Sequence, residues 1–406
     1  PLRNSIEETE LSSVFFWLKF TAMNDYSNHI VIVGAGIAGL ALGNILKMHN
    51  IPCVIFEKNK NISEYGAGIS ISPNGLKILE YLEVLESFNE ISRQPIEATF
   101  FSNEKKLIKI PVNVSTATRK NLYTVLFNKY LSMGGNVIFD HEVSSISLNK
   151  KEIYFTNNKK YDFLHIAACD GIKSICQRTS SQSFINPQHS GYYVWRTIFP
   201  SEQQDICFYL SPNQHIVTYP IDKHRLSFVA AMKSKNKENE SWKQEGLLDD
   251  LLSELPASIV DKYPTINNND GIYKWGIYLR PNLKKFSDKN VTFLGDAAHP
   301  IVPFMGQGAC LALEDAFIFG HLINKYRDDF KKSQKKYNFL RVNRVNSIYI
   351  KSLNQAKLNH LSNPFLILLR NLLMKYTNII SNRTKDIWSY DVNAIIHKLD
   401  KNNGEN

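Results

Sequence analysis

Short unbroken apolar runs alternate along the chain with stretches of helical or two-residue periodicity. His29-Ile-Val-Ile-Val33, Cys53-Val-Ile-Phe56, Phe163-Leu-His-Ile-Ala-Ala168 and Val291-Thr-Phe-Leu294 read as strands buried on both faces, the signature of a parallel sheet. Helical spacing follows the first run (Leu40, Leu42, Ile45, Leu46) and the last (Leu311, Leu313, Ala316, Phe317, from about Gly308). Between them lie two further helices, one around Leu76, Ile78, Leu79 and Leu82 and one from Leu122 to Leu131. Val137-Ile-Phe139, Val143 to Leu148 and Ile153-Tyr-Phe155 alternate as a β-meander inserted before the chain returns to the sheet. Tyr192 to Phe199, Ile206 to Leu210, Ile216 to Tyr219 and Leu226 to Met232 predict four antiparallel strands, with Ser211-Pro-Asn213 and Asp222-Lys-His224 as turns. Pro220 marks a strand end or an edge. Lys233 to Glu240 reads as a solvated loop, Leu247 to Leu255 as a helix stopped by Pro256, and Tyr273 to Leu279 as the return to the core.

Beyond Leu322 the pattern is helical and basic. Arg341 and Arg344, three apart, read as a solvated helix face. Phe365, Leu368, Leu369, Leu372, Tyr376 and Ile379 form an apolar stripe, with Arg370, Lys375 and Asn378 elsewhere. Such a stripe docks on its own protein or, in a minority of cases, lies on a membrane. The fold class is therefore α/β: a parallel sheet assembled from distant segments, an interleaved β-sheet region and a C-terminal helical layer. The predicted division is an extension outside the fold (1–28), the first part of the parallel-sheet domain (29–180), a second domain (181–280), the return (281–340) and the helical region (341–406).

With 406 residues, 43% of them hydrophobic, the chain is long enough for substantial cores. Val14-Phe-Phe-Trp-Leu18 is too short to span a bilayer and lacks a convincing signal-cleavage site, so a natural start at Met23 is expected. Five scattered cysteines without a CxxC pair argue against a disulfide framework or a zinc site and fit a reducing, cytoplasmic setting; no metal is expected. A net charge of +10 favours anionic partners in general, but no block of like charge points to nucleic acid.

The chemistry concentrates at three places. Gly34-Ala-Gly36-Ile-Ala-Gly39 joins the first strand to the first helix: Gly34 for a tight turn, Gly36 for approach of a pyrophosphate, Gly39 for close packing. Glu57, 18 residues past Gly39, ends the next strand where an acid can accept from ribose hydroxyls. Asp170-Gly171 turns from a strand into a helix that Ser174 can start. Asp170 either reaches a nucleotide or simply caps that helix. Gly295-Asp296, followed by Gly306-Gln-Gly308, puts a carboxylate at a strand end beside a helix N-terminus. A ribityl chain and the anionic edge of a reduced flavin need that pairing. Arg119 at a helix start is either a solvated cation or a contact for phosphate or a flavin edge. His215, Val217 and Tyr219 share one strand face and can roof a ligand cavity. The plain alternative makes His215 a hairpin surface residue and Tyr219 a core packer.

These three motifs, in this order over roughly Ile30 to Leu322, resemble the FAD-dependent single-component aromatic hydroxylases of the para-hydroxybenzoate and salicylate hydroxylase kind. Gly66-Ala-Gly-Ile-Ser-Ile-Ser-Pro-Asn-Gly75, Tyr193-Val-Trp-Arg196, His215-Ile-Val-Thr-Tyr-Pro220 and the Gly306 to Asp315 run resemble the salicylate branch in particular. The resemblance implies a Rossmann-like FAD-binding domain and a monooxygenase that takes NAD(P)H and O2 and hydroxylates an aromatic or related cyclic small molecule through a flavin C4a-hydroperoxide. It implies Gly34, Gly36 and Gly39 at the pyrophosphate, Glu57 at the adenosine ribose, Arg119 near the flavin and Asp170 between FAD and the nicotinamide. Asp296 would hold the ribityl chain, with Gly306 and Gly308 in the same cofactor site and His215 and Tyr219 at the substrate. Gln177 and Lys173 stand where the family often has arginine, which implies somewhat different nicotinamide binding. A tetracycline-oxidising enzyme, a flavin reductase without oxygen insertion and a membrane-attached quinone-pathway hydroxylase remain alternatives; in the last, the C-terminal helix would touch the membrane surface.

Overall fold

Four buried residues, Ile30–Val33, form strand β1, which leads through the glycine loop into helix α1 (Ile37–Met48) and β2 (Cys53–Phe56). The computed structural model describes residues 25–61, 68–180, 184–234, 244–327 and 329–401. The expectations for residues 1–24, for Gly66 and for 235–240 of the polar loop fall outside them. After β3 (Gly68–Ile71) come α2 (Pro73–Tyr81), α3 (Leu85–Glu90), β4 (Glu97–Ser102), β5 (Lys105–Pro111) and β6 (Ser115–Thr118). Helix α4 (Arg119–Ser132) precedes β7 (Val137–Ile138), β8 (Val143–Ser147), β9 (Glu152–Phe155), β10 (Lys160–Asp162), β11 (His165–Ala168) and α5 (Ile175–Ser180). Then follow β12 (Gln188–Pro200), β13 (Ile206–Ser211), β14 (Gln214–Pro220), β15 (Arg225–Lys233), α6 (Leu248–Glu254) and α7 (Ala257–Lys262). The chain returns through β16 (Ile272–Leu279), β17 (Ser287–Asp288) and β18 (Val291–Phe293). It ends in α8 (Gly308–Lys325), α9 (Phe330–Asn359), α10 (Pro364–Tyr376), α11 (Ile379–Trp388) and α12 (Val392–Lys401).

The main sheet has the order β17-β18-β11-β1-β2-β7, parallel except at β17. Its central strands read as unbroken apolar runs because helices cover both faces. Ten consecutive residues of α1, Ile37 to Leu46, are buried, and that helix packs against α8 and α4. Val137-Ile138, expected in the meander, instead pairs with β2 as the sheet edge, leaving β8, β9 and β10 as a separate three-stranded sheet. Tyr26 also departs from expectation. It lies within the stretch expected outside the fold, yet its ring packs edge-on to Phe56 at 5.8 Å, since an aromatic next to the first strand can extend the core.

The second sheet has seven strands in the order β16-β12-β15-β14-β13-β4-β5, all antiparallel except the β13–β4 pair. Two-residue alternation gives it two different faces. Trp195, Tyr209 and Phe228 pack on one side beneath α6 and α7. Val194, Arg196, Phe208, His215, Val217 and Tyr219 turn to the other side, toward a cavity. Pro220 ends a central strand, where its missing N–H costs no ladder bond.

Candidate active site

The cavity, about 970 Å³, lies between the C-terminal ends of the main-sheet strands and the inner face of the second sheet. At one wall is the glycine loop. Gly34 has φ +100°, and a Cβ there would come within 2.5 Å of the Cys169 carbonyl oxygen. A Cβ on Gly39 would sit 2.0 Å from the Gly34 carbonyl oxygen, so this turn tolerates no side chain at either position. Gly36 differs: a Cβ would meet nothing within 4 Å, because the position borders the cavity. Gly36 is also the N-cap of α1 and offers no capping side chain, so the first-turn N–H groups are left for an anion. Glu57 braces the loop, accepting from the Ala35 N–H (2.9 Å) through Oε2 and from Asn59 N (2.9 Å) and Nδ2 (2.6 Å) through Oε1.

Asp170 takes up its capping option: Oδ2 accepts from the Cys176 N–H at 3.0 Å, and Ser174 Oγ accepts from the Gln177 N–H at 3.0 Å. The cavity is bordered here by Gly171 rather than by the Asp170 side chain. Arg280, unmarked in the sequence, lies under the opposite loop. Its Nη2 donates to the carbonyl oxygens of Asp296 (2.7 Å) and Ala297 (2.8 Å). Burial draws its pKa down to about 10, against the opposing pull of Asp170 and Asp296.

The Gly295-Asp296 loop is held from behind by buried charge. Asp315 Oδ2 accepts from the Gly295 N–H (2.9 Å) and lies 2.5 Å from His299 Nε2, while Oδ1 accepts from Arg341 Nε (2.7 Å). Glu314 is held by Arg341 Nη1 (2.5 Å), Arg344 Nη2 (2.6 Å) and Asn74 Nδ2 (2.7 Å). Burial alone would raise both carboxyl pKa values. For Asp315 the charges of His299 and Arg341 outweigh it, and for Glu314 those of Arg341 and Arg344 do, so both groups end below their ordinary range. Arg341 and Arg344 are thus corrected from a solvated pair to buried counter-ions, with side-chain exposures of 0% and 12%. Two carboxylates in the apolar face of α8 demand such partners. In front of this support, the Asp296 side chain is exposed at the cavity, with Gly306 (φ +62°) and Gly308 lining the same wall.

Across the cavity, His215 is 3% exposed, not at the surface. Its Nδ1 lies 3.1 Å from His360 Nε2, and Phe304 packs edge-on to it at 5.0 Å. Burial, and then the neighbouring His360, push the His215 pKa well below 6.5, so the ring is neutral at neutral pH. Burial raises the Tyr219 pKa and the nearby Arg196 opposes the shift. Arg196 lies 5.0 Å over the Trp275 ring, and Arg119 borders the cavity nearby at the start of α4. The structure therefore brings Gly36, Arg119, Asp296, Gly306, Gly308, His215 and Tyr219 to one cavity; Gly34, Gly39, Glu57 and Asp170 act on its walls from behind. Arg196, Arg280 and His360 are additions. Arg196 carries a signal in retrospect, a cation inside the apolar run Tyr193-Val-Trp-Arg-Thr-Ile-Phe199. His360 carries none, being 145 residues from its partner.

A cofactor fits the cavity: a glycine cradle open to it, a bare helix N-terminus, and a carboxylate in front of a second helix start. The FAD binding domain family matches residues 27–333 of this chain. 3-Amino-4-hydroxybenzoate 2-monooxygenase PtnB3 of Streptomyces platensis is 25% identical over 361 residues, covering 84% of this chain and 91% of that protein. 3-Hydroxybenzoate 6-hydroxylase of Polaromonas naphthalenivorans is 24% identical, covering 82% and 88%. Among solved structures, Klebsiella pneumoniae HpxO complexed with FAD and uric acid superposes with TM-score 0.77 at 19% identity, covering 88% of this chain and 96% of that one. A salicylate hydroxylase substrate complex gives 0.75 at 19%, covering 90% and 96%.

Proposed function

This chain belongs to the FAD binding domain family and is a FAD-dependent monooxygenase, and from that premise we propose that it uses NAD(P)H and O2 to hydroxylate an aromatic ring bearing one acidic hydroxyl or carboxylate and an apolar extension. The observation that carries this reading is the composition of this cavity. Arg196, His215 and Tyr219 form its polar corner, and Phe100, Val114, Phe208 and Val217 line apolar wall that a bare benzoate would leave uncovered. Relatives named for hydroxybenzoates support the ring and its polar substituent.

When bound, FAD supplies hydride acceptance from NAD(P)H and activation of O2. The chain's own residues do the rest. The α1 N-terminus around Gly36, with Gly34 and Gly39 keeping the turn tight, suits the pyrophosphate. Glu57, already oriented by Ala35 and Asn59, has lone pairs left for ribose hydroxyls. Asp296 would hold the ribityl hydroxyls, the Gly306 and Gly308 backbone would face the flavin's anionic edge, and Arg119 would face the flavin from the other side. Asp170 acts through its cap, which sets the Gly171 turn toward the nicotinamide. His215, neutral and with Nδ1 directed at His360, presents Nε2 to accept a hydrogen bond from the substrate hydroxyl. Arg196 and Tyr219 stabilise negative charge that develops on that oxygen. Phe304 and the apolar wall exclude water. Five unpaired cysteines support a cytoplasmic location.

The test is a panel of hydroxybenzoates, alkyl-substituted phenols, bicyclic phenols and tetracycline, scored for stimulated NAD(P)H oxidation and for 18O from O2 in the product mass. Coupled turnover should be highest for the phenols with an apolar extension. Hydroxybenzoates that outperform them, or NAD(P)H oxidation without labelled product throughout, would overturn the substrate assignment.

A further inference from the structure

Helix α10 has its apolar stripe on the wrong side for a helix that docks on its own protein. Ile367, Arg370 and Met374 face inward and are buried. Arg370 donates to Leu358 O (3.1 Å) and Ser102 Oγ (3.0 Å), and Asn371 Nδ2 to the same hydroxyl (2.9 Å). Asn363 Oδ1 caps the first turn. These bonds fix the helix by its polar contacts and leave the predicted stripe outside, except for Ile379, which starts α11 and borders the cavity. Phe365 (71% exposed), Leu366, Leu368, Leu369, Leu372 and Tyr376 (71%) all face solvent. With Leu373, one helix of thirteen residues carries half of the exposed large apolar side chains among the described residues; the other half are scattered over the rest of the chain. That concentration is what marks interaction surfaces.

Charge selects the occupant. From Phe330 to Lys385 the chain contains no Asp or Glu and twelve Lys or Arg, of which Arg341, Arg344 and Arg370 are buried or nearly so and the rest are left for the surface. Lys375 adjoins the stripe, and Lys105 on β5 pairs opposite Ser102, the residue that anchors α10. Helix α10 itself carries no Asp or Glu, so two copies of it would bring its cations together with no opposite charge to meet them, which disfavours self-association through it. A protein partner would need hydrogen bonds at the usual density of an interface, and Tyr376 offers the only side-chain hydroxyl on the outward stripe. A lipid surface needs none. Among the described residues no helix is long and apolar enough to cross a membrane. A helix of this length, apolar outward and flanked by cations, suits the plane of the interface.

We propose that α10 docks on an anionic lipid surface, with its Phe365-to-Tyr376 face in the acyl boundary and the surrounding lysines at the headgroups. The same helix walls the cavity through buried Met374 and, at its margin, through the half-exposed Leu373, alongside Ile379 and Ile380 of α11. The docked helix therefore stands between the bilayer and the cavity, and an amphiphilic substrate has a short apolar route from one to the other. The docking itself is independent of the substrate assignment above.

The experiment uses the full-length, FAD-loaded protein in co-sedimentation with vesicles of phosphatidylcholine alone or mixed with phosphatidylglycerol. The wild type should pellet with the mixed vesicles, less so at high salt, and remain in solution with the neutral ones. The double variant Leu368→Gln/Leu372→Gln should partition about tenfold less or weaker still, since each change removes apolar groups from the acyl boundary. Neither position lines the cavity, so FAD content and NAD(P)H oxidation without vesicles should stay at wild-type levels. Wild-type protein that stays in solution with the mixed vesicles overturns the proposal, as does a double variant that pellets equally well. A wild-type mass of twice the monomer, lost in the variant and unaccompanied by vesicle binding, also overturns it, in favour of a second copy.

Discussion

Replacing Arg341 by Met tests the buried charge cluster and its hold on the cofactor loop together. The guanidinium is fully buried and donates to Asp315 Oδ1 at 2.7 Å and to Glu314 Oε2 at 2.5 Å. Methionine fills much of the volume but takes the Arg341 donor away from Asp315 Oδ1. Glu314 keeps Arg344 and Asn74. Removing one partner of a buried ion pair costs about 3–5 kcal/mol. With an unfolding entropy of about 2.1 cal/mol/K per residue, a chain of this size has roughly 0.85 kcal/mol/K in total, so the melting temperature should fall by about 4–6 °C. Asp315 also holds the Gly295 N–H, so the loop that presents Asp296 should loosen and FAD affinity should drop on the order of tenfold or more. The pH dependence follows in sign. Both carboxyls have folded pKa values below their ordinary 4.5 and 3.8. Their contribution is therefore complete above about pH 4.5 and is lost as pH falls through the lower folded values. The variant should show a flatter acid limb. Differential scanning fluorimetry across pH and fluorescence titration of FAD into apoprotein measure all three effects. A melting temperature within about 1 °C of wild type at neutral pH, with unchanged FAD affinity, would refute the reasoning.

The other expectations are simpler. Gly36→Val should fold normally and lose FAD, whereas Gly39→Ala should lower the melting temperature as well, because its Cβ would strike the Gly34 carbonyl; absorbance at flavin wavelengths and thermal melts separate them. Asp296→Ala should weaken FAD binding by about 1.5–3 kcal/mol, the worth of a charge-assisted hydrogen bond, as read by titration. His215→Ala and Tyr219→Phe should retain FAD but release more H2O2 per NAD(P)H, so normal coupling in both would remove them from the site. In His360→Leu the acid limb of kcat/KM should move to higher pH, since one of the two causes depressing the His215 pKa is gone. An unmoved limb would separate His360 from the titration of His215.

The glycine wall of the cavity was legible because its motif is local: a strand, three glycines, a helix start and an acid 18 residues on are all read within one short stretch. The alternation that puts His215, Val217 and Tyr219 on one face was equally local. What failed to show was long-range pairing of charge. Arg341 lies 26 residues from Asp315, so neighbouring positions on α9 gave only the appearance of a solvated face. The acidic pair inside an otherwise apolar α8 was the overlooked signal, since buried carboxylates must have counter-ions. For α10 the periodicity was right and its meaning reversed. Arg370, outside the stripe, reaches Ser102 and so turns the apolar side outward.

The main sheet also sets the order in which this protein can become a protein. Helix α1 buries ten consecutive residues, largely against α8, yet the two are separated by about 260 residues of chain. The outer edge of β11 likewise waits for β18, at residues 291–293. At about 5–20 residues per second, a ribosome leaves α1 uncovered for roughly 15–50 s after it emerges. Helices form in microseconds, so the delay comes from synthesis rather than from local structure. Throughout that interval a greasy helix and an open parallel edge are exposed on the nascent chain, a hazard that holding chaperones relieve and that premature termination makes permanent. Translation products ending before residue 308 should accumulate as aggregates, and folding yield should depend on chaperone supply more than on the stability of the finished enzyme.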